Sequence, residues 1–129
     1  MIPILEHLKK SERSLIIAVD WDDTIAYNDN YGETVFFNEA LIHLLVNLKN
    51  VFKHKLILWT CREGKWLDEA VATAKQLGLE FDAVNENLPE IEQVSTLGKR
   101  KIIADIYIDD RAVQPSDFIT IAKSVVNEA

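Results

Sequence analysis

The chain has 129 residues, 48% of them hydrophobic and 27% charged, with a formal net charge of −7. That profile excludes a disordered polymer and fits one ordinary globular domain. The acidic balance excludes a general nucleic-acid groove, and no apolar run is long enough to span a bilayer. The first residues lack the basic start and apolar core of a signal peptide, so a cytoplasmic location and no membrane partner are expected. Cys61 is the one cysteine, which rules out an internal disulfide and a cysteine-cluster zinc site.

Taken in chain order, Pro3 to Lys10 predicts a short amphipathic helix within an N-terminal extension over 1–13, and Ser14 to Asp20 a fully buried strand. Ala26 to Thr34 reads as a polar loop. Phe36 to Asn50 places Phe37, Leu41, Leu44, Leu45 and Leu48 at helical spacing. Lys55 to Thr60 is a second buried strand, and Gly64 to Leu77 a helix that Gly78 is placed to stop. Phe81 to Val84 predicts a third strand and Pro89 to Leu97 a helix. Ile102 to Ile108 gives the last strand, and Pro115 opens a C-terminal helix through Val126.

Strands alternate with helices and are apolar on both faces. The expected fold is therefore α/β: a Rossmann-like, three-layer α/β/α parallel sheet. In such sheets the site lies beyond the carboxyl ends of the strands. Those ends read Asp20-Trp21-Asp22, Thr60-Cys61-Arg62 and Asp109-Asp110-Arg111. Clustered acids repel one another, and a fold tolerates that mainly where a cation or a phosphoryl group uses them. A carboxylate at Asp20 can act as a nucleophile on phosphorus. Asp22 can serve as its acid and base, and Thr60 can offer a hydroxyl to a phosphoryl oxygen. Lys99 and Lys101 are the candidates for the neutralising ammonium. Asp109 and Asp110 complete an oxygen-ligand set suited to Mg²⁺.

These residues resemble the motifs of the haloacid dehalogenase (HAD) superfamily of phosphohydrolases. An apolar strand then Asp-x-Asp-x-Thr is matched by Asp20, Asp22 and Thr24, and a strand then threonine by Leu56 to Thr60. A lysine before the last strand is met by Lys99 or Lys101, and an apolar strand then an acidic pair by Ile106 to Asp110. The resemblance covers about residues 14–113. It implies Asp20 as nucleophile and Mg²⁺ ligand, Asp22 as acid/base with its backbone carbonyl on the metal, and Asp110 as a direct ligand supported by Asp109. Trp21, Thr24, Cys61 and Arg62 border the implied site and are the expected substrate contacts. Cys61 also reads as a small buried hydrophobe, and Arg62 as a surface partner of Glu63. His7, His43 and His54 read as surface or helix residues.

Dehalogenases of the superfamily lack a carboxylate at the Asp22 position, so its presence points to a phosphatase. A phosphotransferase on the same fold and a non-catalytic phosphate- and Mg²⁺-binding module are the alternatives. A receiver domain is disfavoured, because its acidic pair would end the first strand and its phosphorylated aspartate the middle one. Neither gap between motifs holds a cap domain of the usual ~50 residues. The chain therefore resembles small capless members with an open site, which leaves room for a second copy to cover it as a homodimer. The expected partner is a phosphorylated substrate: a nucleotide, an oligonucleotide end, a phosphoprotein or a metabolite.

Overall fold

The computed structural model describes residues 13–94 and 101–128. Among the described residues the strands are β1 (Ile16–Val19), β2 (Ala26–Asn28), β3 (Thr34–Phe37), β4 (Lys55–Leu58), β5 (Ala83–Val84) and β6 (Ile106–Ile108). The helices are α1 (Glu39–Asn50), α2 (Gly64–Gln76), α3 (Pro89–Val94) and α4 (Pro115–Glu128). Four of the strands form one sheet in the order β5-β4-β1-β6, and every pairing in it is parallel.

The continuous apolar runs are explained by what covers the two faces. Side chains alternate along a strand, so Ile17 and Val19 of β1 lie with Leu56 and Leu58 of β4 on one face. Ile42 and Leu45 of α1 and Ala70 and Ala74 of α2 cover that face. Ala18 and Ile57 point the other way, into a second cluster with Ala83, Leu88 and Ile102, against which Ile91 of α3 packs. The result is a mixed α/β fold, a parallel sheet flanked by helices in the Rossmann-like three-layer manner. Burying each of the larger aliphatic side chains stabilises the fold by about 1.5–3 kcal/mol, so β1 and β4 anchor it.

Local signals account for the boundaries. Asn38 caps α1, its side-chain oxygen accepting the Leu41 N–H at 3.1 Å. Gly78 follows the end of α2 at φ +86°, a left-handed conformation that costs glycine little.

Four expectations are corrected. The segment expected as a polar loop holds β2, which pairs antiparallel with β3 across a turn held by Asp29. Phe36, expected in the helix, stacks on Tyr27 across this hairpin at 4.7 Å. The last strand is shorter than expected. The Ile103 N–H is taken by the Asn87 side chain and the Asp105 carboxylate accepts the Ile16 N–H, so 102–105 form a packed connector. Finally, His54 is buried, its Nδ1 accepting the Leu15 N–H at 3.0 Å. The expected N-terminal helix, the end of the Pro89–Leu97 helix, His7 and Lys99 lie outside the described residues.

Candidate functional site

Sheet register assembles the site. Val19 is level with both Leu58 and Ile108, so the residues that follow them, Asp20, Trp59 and Asp109, emerge side by side at one edge of the sheet. Two backbone hydrogen bonds extend this alignment past the strands: the Asp20 N–H donates to the Ile108 carbonyl at 3.0 Å and the Trp59 N–H to the Val19 carbonyl at 2.9 Å. The Thr60 N–H donates to the side-chain oxygen of Asn85 at 2.8 Å, which holds the end of β4 in place.

The loop after Asp20 turns sharply. The Trp21 carbonyl accepts the N–H groups of Thr24, Ile25 and Ala26. Asp23 takes φ +62°, where aspartate is better tolerated than most residues. Thr24 is buried, and its hydroxyl accepts the Asp110 N–H at 3.1 Å, tying this loop to the one after β6.

The carboxylates of Asp20, Asp109 and Asp110 each present one oxygen, and these oxygens lie within 4.8 Å of one another. Opposite ligands of an octahedral Mg²⁺ stand ~4.2 Å apart, at ~2.1 Å each from the ion. An all-oxygen, all-carboxylate set at this spacing therefore fits a small, hard divalent cation. The electrostatics agree. Burial, opposed by the Trp21 backbone hydrogen bond and reinforced by Asp109, Asp110 and Asp22, pushes the Asp20 carboxyl up to about 6. Asp110 is also raised, by burial and by sharing space with Asp109. Among the described residues, these carboxylates face more negative than positive charge.

Asp22 is different. Arg62 Nη2 and Nε donate to its carboxylate at 2.7 and 2.9 Å, and the Asn28 amide donates at 2.7 Å. Burial pushes Asp22 up, but the hydrogen bonds from Arg62 and Asn28 outweigh it and hold the group below its ordinary value. The guanidinium is itself fixed: it donates to the Trp66 carbonyl at 3.3 Å and lies 4.5 Å from the Trp66 ring centroid.

A cavity of about 410 Å³ brings together Asp20, Asp22, Thr60, Cys61, Asp109 and Asp110. The Thr60 hydroxyl accepts the Arg62 N–H at 3.2 Å, a bond that leaves its own hydrogen free to donate. The other expected contacts are placed elsewhere. The Trp21 ring is 2% exposed and packs edge-on to Phe37 at 6.3 Å, so it belongs to the core. Arg62 is buried in its pair with Asp22 rather than open to substrate or paired with Glu63. Cys61 is exposed at the cavity rather than buried. The Lys101 ammonium lies 5.2 Å from the Tyr107 ring centroid and borders a different cavity.

Sequence reasoning passed over Arg111, Asn28 and Asn85. Among the described residues, Arg111 is the cation that lines the acidic cavity. Its adjacency to the acidic pair was a usable signal. Asn85 sits at φ +55° and donates to the Arg62 carbonyl as well as accepting from Thr60, and an asparagine just past a strand is a fair pointer to such a turn.

Comparison with known proteins adds one relative of solved structure. No family model and no curated protein matches the chain. A conserved protein from Bacteroides thetaiotaomicron is similar at 38% identity and a TM-score of 0.59, over 91% of this chain and 93% of the other.

Proposed function

Because the chain belongs to the family of that conserved Bacteroides thetaiotaomicron protein, described by no activity, we propose its function from the site: a Mg²⁺-dependent phosphohydrolase of HAD type. One observation carries the reading. The Asp20 carboxylate, at the end of the central strand, converges with Asp109 and Asp110 in a cavity that Thr60 also lines.

Asp20 attacks phosphorus, the bond from phosphorus to the leaving oxygen breaks, that oxygen takes up a proton from solvent in the open site, and an aspartyl-phosphate forms. Water then attacks the same phosphorus, and Asp20 is released with inorganic phosphate. Mg²⁺ held by Asp20, Asp109 and Asp110 would neutralise charge on the transferring phosphoryl group. Thr60 is placed to donate a hydrogen bond to a phosphoryl oxygen. Asp22, kept ionised and oriented by Arg62 and Asn28, is suited to take the proton of the attacking water. Arg111 offers further positive charge at the cavity edge.

The place of Lys101 favours one competing reading. With that ammonium over Tyr107, a non-catalytic Mg²⁺- and phosphate-binding module would need no lysine in the cavity. Phosphate release from an aryl phosphate with Mg²⁺ separates the two. The phosphohydrolase releases phosphate, and Asp20→Asn does not. Equal rates in the two proteins would overturn the proposal, and Mg²⁺ binding without turnover on any phosphoester would favour the binding module.

A further inference from the structure

Beside the acidic cavity runs a second one of about 800 Å³, along β6 at the edge of the sheet. Trp59 and Asp109 line both, so the two form one continuous surface. Trp59 directly follows Leu58, which is fully buried, yet Trp59 itself is 36% exposed. Its ring lies 5.4 Å from that of Tyr107, tilted by 55°. Tyr107 is locked in place: its hydroxyl donates to the Ile102 carbonyl and accepts the Ala104 N–H at 3.2 Å. The Lys101 ammonium stands at this aromatic corner, and Gln114 lines the same groove.

We propose that this groove is a nucleobase subsite, and that the phosphoryl group presented to Asp20 belongs to a mononucleotide. The inference rests on the reading of the acidic cluster as a phosphoryl site and names its substrate class. An exposed indole offers a π-face on which any base stacks. Because Tyr107 is hydrogen-bonded and packed against Trp59, the platform is preorganised and little ordering is needed on binding. Lys101 supplies a cation for the electron-rich edge of a heterocycle, and an amide such as Gln114 can both donate to and accept from a base. A sugar phosphate would leave this groove unused. A long polynucleotide meets a chain of net charge −7, which disfavours it relative to a single nucleotide.

The test compares adenosine monophosphate with ribose phosphate in binding titrations with Mg²⁺ present. The wild-type protein is expected to bind the nucleotide about tenfold more tightly, the usual order for one stacked base. Trp59→Leu is expected to bring the two ligands to within about twofold of each other, and Trp59→Phe, which keeps a stacking face, to restore the preference. Equal wild-type affinities, or a preference that survives in W59L, would overturn the subsite. A terminally phosphorylated oligonucleotide that binds more tightly than the mononucleotide would overturn the choice of a free nucleotide. Phosphate release from ribose phosphate reads the phosphoryl site separately. Release without base preference sinks the subsite alone, and base preference without release from either ligand sinks the phosphohydrolase alone.

Discussion

The two sides of the acidic loop treat the same functional group in opposite ways. Asp22 is surrounded by donors from Arg62 and Asn28 and is held low. Asp20, two residues earlier, is pushed up to about 6, by burial first and by the facing Asp109 and Asp110 next. The first charge is compensated by the protein, which holds Asp22 in place at the cavity it lines. Around the second, Arg111 is the cation lining the cavity among the described residues, and this carboxylate cluster at the strand ends is where the proposed cation and phosphate would bind.

The largest effect should come from the Asp20 side. Asp20→Asn is expected to lower Mg²⁺-dependent phosphate release by at least ~10³-fold, since it removes the proposed nucleophile rather than a contact. A steady-state phosphate assay checks this, with circular dichroism to show that the variant folds.

Breaking the compensated side should also cost stability. Arg62→Met leaves Asp22 half-buried, with Asn28 as its remaining donor, and strands a carboxylate formerly in a 2.7 Å pair. The expected loss is about 2 kcal/mol in a urea melt, within the range for a charged hydrogen bond removed from a partly buried site. If stability were unchanged, the pair would be no part of the architecture.

A smaller effect separates the two sides by pH. Asp20 has a folded value of about 6 against an ordinary 3.8, so its contribution to stability is full below 3.8 and is lost as pH rises through about 6. Asp22 runs the other way: its contribution is present above the ordinary carboxylate value and is lost as pH falls through its lowered one. Metal-free protein should therefore lose stability as pH rises through about 6, and Asp20→Asn should remove that loss. Added Mg²⁺ should raise the Tm by a few degrees near neutral pH and progressively less below about 6, where protons compete for Asp20. Thermal melts across pH, with and without Mg²⁺, follow both trends.

The smallest effect serves as a control. Asp23 borders the cavity but stands outside the converging trio. Asp23→Asn keeps the left-handed turn accessible and should leave the Mg²⁺-induced rise in Tm unchanged, whereas Asp110→Asn should reduce it.

Much of this was legible in the sequence, for physical reasons. A strand buried on both faces must be apolar throughout, so Ile16–Val19 and Lys55–Leu58 announced themselves. In a parallel sheet the residues that follow such runs share one edge, which brought Asp20, Thr60 and Asp109 together on paper. The hairpin of β2 and β3 was not legible, because its strands are short, β3 is largely exposed, and a polar turn joins them. The fates of Trp21, Arg62 and Lys101 were hidden for another reason. Each is near the motifs in sequence, but its direction is set by partners that local sequence does not name: Phe37, Asp22 and Tyr107. Sequence proximity located the loop, and tertiary packing chose which side chains enter the cavity.

An Asp20 carboxylate oxygen that bonds to phosphorus would leave a phosphoryl group on that side chain, which can be read directly. Protein incubated with Mg²⁺ and an aryl phosphate, quenched in acid and digested, is examined by mass spectrometry for a phosphorylated side chain. The account predicts one phosphoryl group on Asp20 in the wild type and none in Asp20→Asn. Steady turnover with Asp20 unlabelled, or with the label on another residue, would contradict it.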